Sequence, residues 1–311
     1  MITKILITGQ TGFIGGALSR KIKSNNLFEI HETPKFKEMI FRNHTVNNKN
    51  DFKLNTFLNN TECVIHCAGR AHIMNENETS PLKKYFSINV DGTCRLAELS
   101  AKAGVKRFIF LSTIGVLGNN TNNRLPFSNI DHPNPVEDYA KSKYEAEKVL
   151  LNVSQKYGLE VVILRIPLVY GPGFKGNLSR LFKLINIGIP LPFDLINNLR
   201  SFIGIDNLID LIIKCIDHPN AAGKTFLVSD GNDLSTPHLT KLIAKSMGQR
   251  VRLFPVPMFL LRFLALIFGK KKEINQLAGS LRVDSSYTNQ ILNWRPPYSI
   301  EEGIKRMVIN K

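Results

Sequence analysis

The segment DYAKSKYEAEKVL, residues 138–150, carries a tyrosine and a lysine whose spacing could support acid–base chemistry. Tyr139 and Lys143 are four residues apart, so on an α-helix their side chains lie on the same face. A fixed ammonium beside a phenol lowers the pKa of that phenol, whose ordinary value is about 10. The alternative is that Tyr139 anchors an ordinary helix and Lys143 is solvated. Because this spacing is common on amphipathic helices, the pair alone favours the alternative.

A glycine-rich turn near the start of the chain offers a second chemical feature. In ILITGQTGFIGGAL, Gly9, Gly12 and Gly15 follow an apolar run and open a helical segment. Such a turn lets backbone N–H groups approach a pyrophosphate at the positive end of the helix, so the context predicts a dinucleotide site over a purely structural turn. Further along, Glu32 would favour NAD and Lys35 would tolerate the extra phosphate of NADP. The choice between NAD and NADP stays open.

The composition is that of a globular protein. The 311 residues are 43% hydrophobic, which is enough for a sizeable core. The opening MITKILITG lacks the basic and long apolar regions of a secretory signal, so we expect a cytoplasmic location. Four cysteines have neither metal-ligand spacing nor the density of a disulfide scaffold, so we expect reduced, packed thiols and no metal site.

The net charge of +16 favours anionic partners such as nucleic acid, a membrane surface or a phosphate-bearing metabolite. The basic residues are scattered, with no run of five and no nucleic-acid-binding motif, so a nucleic-acid partner is not expected. The longest apolar segment, residues 258–268, is interrupted by Arg262 and is too short to span a bilayer. We expect a buried or docking helix that ends before Gly269, with contact with a membrane surface as the less favoured alternative.

Strand-like runs alternate with helix-length segments in the first part of the chain, which predicts βαβ units and a mostly parallel sheet. The predicted strands cover residues 4–9, 63–69, 107–113 and 160–171, and the predicted helices cover 14–24, 81–103 and 137–157. Polar residues at 43–50 and 119–124 predict loops. After residue 171 the pattern is irregular, although residues 224–231 predict one more strand of the sheet.

Six motifs, in order, resemble those of the extended short-chain dehydrogenase/reductases, in the nucleotide-sugar epimerase/dehydratase/reductase group. They are TGQTGFIG, HCAGR, NVDGT, LSTIGVLG, YAKSK and LRIPLVYGPG. Each motif alone is weak, but their order over nearly the whole chain is specific. The resemblance therefore reverses the interpretation of Tyr139 and Lys143 as ordinary surface residues.

The resemblance implies an α/β fold, with a Rossmann-type doubly wound parallel sheet and a smaller, interleaved C-terminal substrate domain. The NAD(P)-binding domain would cover residues 1–171 with the further strand near 224–231, and residues 172–311 would mainly form the substrate domain. The implied cofactor is NAD(P)(H) and the implied partner is a UDP-sugar. Neither a nucleic-acid partner nor a transmembrane span is expected, and a homodimer is compatible with the resemblance.

The resemblance also implies a role for each motif residue. Tyr139 would be the general acid/base, Lys143 would hold the nicotinamide ribose and lower the pKa of the tyrosine, and Thr113 would orient the reacting alcohol or ketone. On the pattern alone, Thr113 is a β-branched residue that ends a strand. Leu117 replaces the tyrosine usual in the family and removes no catalytic group. The implied cofactor contacts are Tyr139, Lys143, Gly9, Thr11, Gly12, Phe13, Ile14, Gly15, Ala68, Gly69, Arg70 and Pro167.

The substrate contacts carry over more loosely. Thr113 and Tyr139 would contact the sugar, Asn177 would contact the diphosphate side of a UDP-sugar, and the guanidinium of Arg200 would suit that diphosphate. The alternatives are a helix cap for Asn177 and a solvated side chain for Arg200. His72, with the neighbouring Arg70, could reach the hexose, though an exposed loop would also hold such residues.

A bacterial subgroup with the motifs AGRAHIMNE, VYGPGFKGN and FLVSDGNDLSTP resembles the chain further. This subgroup implies NAD(P)H-dependent reduction of the C4 keto group of a UDP-4-keto-6-deoxy-N-acetylhexosamine, for the synthesis of surface polysaccharide. The alternatives are a UDP-hexose or UDP-N-acetylhexosamine 4-epimerase and a non-catalytic NAD(P)-binding module. A dehydratase is less favoured because Ile114 and Gly115 stand where that subclass has an acidic pair.

Overall fold

The computed structural model describes residues 3–25, 28–31, 55–71, 81–174 and 176–309. Strands and helices alternate along the first part of the chain. In order, they are β1 (Thr3–Thr8), α1 (Phe13–Asn25), β2 (Phe28–His31), β3 (Cys63–His66), α2 (Pro81–Phe86), a π-helical turn (Ser87–Asp91), α3 (Gly92–Lys102), β4 (Arg107–Thr113), α4 (Asp138–Tyr157), β5 (Glu160–Ile166) and β6 (Leu168–Tyr170).

Short strands and many helices make up the rest of the described chain. They are α5 (Asn177–Ile187), β7 (Phe202–Gly204), α6 (Ile205–Asp217), β8 (Thr225–Leu227), α7 (Thr236–Ser246), α8 (Met258–Ile267), α9 (Lys271–Ala278), α10 (Ser286–Leu292) and α11 (Ile300–Ile309). Among the described residues, no helix is long and apolar enough to cross a membrane.

The main sheet has six parallel strands in the order β2-β1-β3-β4-β5-β8. Helices cover both of its faces, which explains why β3 and the last four residues of β1 are completely buried, with consecutive apolar residues at 5–7 and 63–65 rather than an alternating pattern. One core contains α1 and α6, and the other contains α3 and α4. This is the predicted α/β fold with a doubly wound parallel sheet. The strand predicted near 224–231 is present as β8, at the edge of this sheet.

A separate core forms around α5, α7 and α11, and a small parallel sheet of β6 and β7 lies beside it. The predicted strand over residues 160–171 is in fact two strands, because Pro167 interrupts the run and β6 leaves the main sheet for β7. The predicted helix over 81–103 is likewise interrupted, by the π-helical turn at Ser87–Asp91. The division into two domains remains our proposal.

The two loop predictions have different outcomes. Residues 119–124 form the predicted loop, whereas the loop predicted at 43–50 lies outside the described residues, as do Glu32, Lys35 and His72. The four cysteines are unpaired thiols, as predicted, and Cys63 and Cys215 are buried in the core. The apolar segment from Met258 forms a helix, but it is not buried: only Leu261 and Ala265 of this helix are buried.

Candidate active site

The predicted site residues gather at the carboxyl ends of neighbouring strands. Gly9 follows β1, Ala68 follows β3 and Thr113 ends β4, and these three strands are adjacent in the sheet. The chain leaves β1 and β3 in opposite directions across the sheet, since β2 lies on one side of β1 and β4 lies on the far side of β3. Ligands of open parallel sheets bind in the crevice that such a change of direction creates.

The three glycines of the first turn have different structural roles. Gly9 has a φ of +76°, and a Cβ there would lie 2.8 Å from the backbone nitrogen of Ala68. A Cβ on Gly15 would overlap the carbonyl oxygen of Gly9, so this glycine lets α1 pack against the turn. A Cβ on Gly12 would meet only the Gly9 oxygen, at 3.1 Å, within 4 Å among the described atoms. Gly12 therefore leaves space on the side where a ligand would approach the start of α1.

A buried hydrogen-bonded group fixes the segment after β3. The Nδ1 atom of His66 lies 2.6 Å from Thr8 Oγ1, and its Nε2 atom lies 2.9 Å from Thr93 Oγ1. The backbone N–H of Ala68 donates to the same Thr8 oxygen at 3.2 Å. Burial, followed by the nearby charge of Lys143, holds the pKa of His66 well below its usual value. The ring is therefore neutral and serves to align the ends of β1 and β3.

Asn89 joins this segment to the helix that carries the tyrosine. Its Oδ1 atom accepts from the backbone N–H of Arg70 at 2.8 Å, while its Nδ2 atom donates to the Arg70 oxygen at 3.1 Å and to Ser142 Oγ at 2.9 Å. Ser142 Oγ in turn donates to the Tyr139 carbonyl oxygen at 2.8 Å. Asn89 lies in the π-helical turn, a local geometry that is frequent at functional sites. It was not among the predicted site residues, although the NVDGT motif contained it.

Tyr139 and Lys143 lie on the first turns of α4, as the spacing predicted. Lys143 is 4% exposed, and its Nζ atom lies 4.1 Å from the centre of the Phe110 ring. A Cβ on Gly69 would lie 3.7 Å from the same Nζ atom, so the ammonium faces the segment after β3. Burial lowers the pKa of Lys143 to about 8, although the negative charge of Glu147 opposes this shift. The lysine is therefore mostly a cation at neutral pH.

The tyrosine has the opposite shift to the one predicted. Tyr139 packs edge-on against Tyr85, with ring centres 6.2 Å apart. Burial, followed by the proximity of Tyr85, raises the pKa of Tyr139 to about 12. The expected lowering by Lys143 is absent from the causes of this shift, because desolvation of the phenol dominates. In this state of the protein, Tyr139 is a protonated phenol.

Thr113 lies beside the start of α4. It caps the short 3-10 turn Ile114–Val116, and its Oγ1 atom accepts from the backbone N–H of Gly115 at 3.2 Å. A Cβ on Gly115 would lie 3.5 Å from Thr113 Oγ1 and 3.3 Å from the Cβ of Ala140, the residue after Tyr139. The bond from Gly115 uses a lone pair of the hydroxyl, so it does not consume the O–H donor. Thr113 can thus orient an oxygen near Tyr139.

A buried ion pair supports α4 one turn beyond Lys143. Glu147 accepts from Arg165 on β5 at 2.7 and 3.1 Å and from Ser112 Oγ on β4 at 2.5 Å. Glu147 and Arg165 are both buried. Because Glu147 is four residues after Lys143, the sequence spacing could have identified it, but its burial could not be read from the spacing. The pair ties the catalytic helix to two strands of the main sheet.

The two residues predicted to bind a diphosphate meet at α9. Asn177, the first residue of α5, donates from Nδ2 to Gln276 Oε1 at 3.1 Å. Arg200 donates from Nη1 to the carbonyl oxygens of Gln276 and Gly279, at 2.8 and 3.1 Å. The alternative of a simply solvated Arg200 therefore does not describe the structure. Gly176 rather than Asn177 occupies the cap position of α5, and the substrate roles of both residues stay predictions.

An open pocket of about 600 Å³ borders this region. Leu199 and Ser280, neighbours in sequence of Arg200 and Gly279, line it together with Arg124 and Arg282. Guanidinium groups suit phosphate oxygens, but Arg124 is paired with Asp131 and Arg282 donates to the Arg124 carbonyl oxygen, so each could offer only its remaining N–H groups to an anion. Sequence reasoning missed them because they lie far apart in the chain within unremarkable polar segments. Among the described residues, no cluster of His, Cys, Asp and Glu could hold a metal ion.

Comparison with known proteins places these features in a family. The profile of the NAD dependent epimerase/dehydratase family matches residues 5–229. A curated relative from Vibrio cholerae, named UDP-glucose 4-epimerase, is 42% identical over 98% of this chain and 94% of its own length.

Solved structures agree on the fold. A UDP-glucose 4-epimerase from Thermotoga maritima, solved with UDP-glucose, has a TM-score of 0.75 and 22% identity, and covers 99% of this chain and 98% of its own. The protein RMD from Pseudomonas aeruginosa, complexed with NADPH, has a TM-score of 0.77 and 18% identity, and covers 99% of both chains. At these identities the structures show a shared fold.

Proposed function

The chain belongs to the NAD-dependent epimerase/dehydratase family, and we propose that it is a 4-epimerase of UDP-hexoses or UDP-N-acetylhexosamines. The observation that carries this proposal is the 42% identity to the Vibrio cholerae UDP-glucose 4-epimerase, which extends over nearly all of both chains. The 4-reductase predicted from the subgroup motifs is supported by those motifs alone. It therefore becomes the alternative, and the non-catalytic module is the second alternative.

The residues around the first turn fit a dinucleotide. The space at Gly12 admits a pyrophosphate to the start of α1, where the first N–H groups of the helix lack intrahelical partners. The Lys143 ammonium, which lies beside Gly69, would hold a ribose hydroxyl. Ala68, Gly69 and Arg70 would line the other wall of this cofactor site.

The chemistry at C4 follows from Tyr139 and Thr113. Bound NAD would supply the acceptor for a hydride from C4 of the sugar and the donor that returns it. Tyr139, as its phenolate, would take the proton of the C4 hydroxyl and later return it to the C4 oxygen. Thr113 would hold that oxygen by a hydrogen bond in both half-reactions. The same residues serve both half-reactions. Epimerisation then needs only that the keto sugar rotate between the two half-reactions, so that the opposite face of C4 is presented.

In this proposal Lys143 would stabilise the phenolate during catalysis, although in the described state it does not lower the pKa of Tyr139. Because burial raises the pKa of Tyr139 to about 12, the phenolate forms at neutral pH only where a cation stabilises it. Lys143 is one helical turn away and is mostly protonated below its pKa of about 8. Asn89 and the Glu147–Arg165 pair hold the helix that carries both groups against the sheet.

The test uses purified protein without added cofactor. Denaturation should release tightly held NAD, because an epimerase must retain it between half-reactions. NMR of the products should then show interconversion of UDP-glucose or UDP-N-acetylglucosamine with its C4 epimer, with no net change in cofactor absorbance. Tyr139→Phe is the matched control and should retain the dinucleotide while turnover falls by roughly two to four powers of ten.

Other outcomes would reject the proposal. Consumption of NADH or NADPH only when a UDP-4-keto-6-deoxy-N-acetylhexosamine is supplied would establish the 4-reductase. Binding of NAD with no conversion of any of these sugars would favour the non-catalytic module.

A further inference from the structure

Helix α8, Met258–Ile267, presents apolar side chains to solvent. Leu261 and Ala265 face the core, whereas Phe259, Phe263 and Ile267 are 75%, 58% and 61% exposed. A surface helix normally turns its apolar stripe inward and its polar face outward. In α8 the outward face is apolar as well. We call this outward surface the α8 face; its other exposed members are Leu260, Leu264, Leu266 and Phe268.

The sequence that contains and flanks the α8 face is rich in basic residues. Residues 250–273 contain six basic side chains and one acidic side chain, Glu273. Arg250, Arg252, Arg262 and Lys270 are exposed, and Lys271 and Lys272 follow directly in the sequence. The one carboxylate is paired with Lys270, at 3.3 Å. An apolar surface with a basic border is the pattern of helices that lie in the interface of anionic membranes.

We propose that the α8 face docks the protein on an anionic membrane surface, with Phe259, Phe263 and Ile267 inserted below the headgroups. The 10-residue helix is about 15 Å long, so it cannot cross a hydrocarbon layer of about 30 Å and must lie in its plane. A second copy of the chain is the competing occupant. It would bring two identical basic borders, on chains of net charge +16 each, into contact, whereas anionic headgroups neutralise them.

Docking through α8 would hold the predicted substrate residues near the membrane. Gly269, at a φ of +64°, ends α8 and lets the chain turn into α9. On α9, Gln276 accepts hydrogen bonds from Asn177 and Arg200. One short helix therefore separates the α8 face from the residues expected to bind the diphosphate. Docking at the membrane would determine the location of the protein in the cell, and it does not depend on which C4 reaction the protein catalyses.

The experiment is co-sedimentation of the full chain with vesicles of phosphatidylcholine alone or with 30% phosphatidylglycerol added, a fraction of about one lipid in three chosen to give a clear surface potential. We expect binding only to the anionic vesicles, reduced by added salt. The double variant Phe259→Ser/Phe263→Ser should bind at least about tenfold more weakly. The matched control is Ile130→Ser, since Ile130 is 89% exposed in a different loop, and it should bind like the original chain. The activity of both variants on a soluble UDP-sugar should equal that of the original chain.

Three outcomes would overturn the proposal. The first is that the original chain fails to bind anionic vesicles at low salt, and the second is that the double variant, still folded by circular dichroism, binds as well as the original. The third is sedimentation equilibrium showing a dimer that the double variant converts to a monomer, which would assign the α8 face to a second copy.

Discussion

Replacing Lys143 by methionine should stabilise the protein while removing its activity. Lys143 is 4% exposed and its ammonium lies against the Phe110 ring. Methionine has a similar length and needs no proton, so it can fill the same space without a buried charge. The pH-dependent part of the expected gain in stability comes from the ionisation of Lys143, and its size can be worked out from the pKa of that group.

The pKa of Lys143 is 10.5 when the group is unperturbed and about 8 in the folded protein, where burial lowers it. Below pH 8 the lysine is charged in both states, and its burial then costs about 3 kcal/mol of folding free energy. Between these two pKa values the unfolded chain binds more protons than the folded one. The free energy of unfolding therefore rises with pH between pH 8 and pH 10.5. Above pH 10.5 the cost of burying the charged lysine is gone.

The assay is urea denaturation of the original chain and of Lys143→Met at pH 7, 8, 9 and 10, followed by circular dichroism. The variant should be more stable by about 3 kcal/mol at pH 7, and this advantage should shrink to about 1 kcal/mol or less at pH 10. Titrating groups that Lys143 does not influence cancel in the difference, and His66, whose pKa is held low first by burial and then by Lys143, is neutral in the folded protein throughout this pH range. Lys141→Met, whose lysine is 48% exposed on the same helix, should show no such trend. If the difference in unfolding free energy between the two proteins did not change with pH, the lowered pKa of Lys143 would be refuted.

Three further substitutions test the site. Tyr139→Phe should lower turnover by roughly two to four powers of ten with NAD affinity unchanged in calorimetry, and a fall of less than about threefold would assign the proton transfer to another group. Gly12→Val should abolish NAD binding because its side chain fills the space beside the start of α1, and it should lower Tm modestly because its Cβ would lie 3.1 Å from the Gly9 carbonyl oxygen. Unchanged affinity would place the dinucleotide elsewhere. Asn89→Ala should destabilise the protein by about 1–3 kcal/mol in urea denaturation, because the buried Arg70 backbone loses its partners. A loss below about 0.5 kcal/mol would contradict the role of Asn89 as a clamp.

The main sheet was predictable from the sequence because its strands are short apolar runs separated by helix-length segments. The runs at 63–69 and 107–113 became β3 and β4 because neighbours on both faces bury them. The run at 160–171 was harder, since periodicity does not show that Pro167 sends its last residues into another sheet. For residues 258–268 the sequence left a buried helix and a docking helix open, because an apolar segment does not show which of its faces is covered until its neighbours are known.

For Tyr139 and Lys143, too, the sequence predicted position but not burial. Helical spacing alone put Tyr139 and Lys143 on one face, and the structure confirms that both lie on α4. The predicted direction of the Tyr139 pKa shift was wrong, because the spacing shows that the two groups are close but not how far the phenol is removed from water. Both groups are shifted toward their neutral forms, the phenol to a pKa of about 12 and the ammonium to about 8.

Glu147 explains why the lysine is not held more firmly as a cation. It lies one turn beyond Lys143 and its charge raises the lysine pKa, but both of its oxygens are already bound by Arg165 and Ser112. The positive charge of Arg165 therefore offsets much of the field that would otherwise reach Lys143. Burial then dominates, and Lys143 changes charge only about one unit above neutral pH. A lysine poised in this way can respond to charge that develops beside it, which a fully solvated lysine with a pKa of about 10.4 would not do.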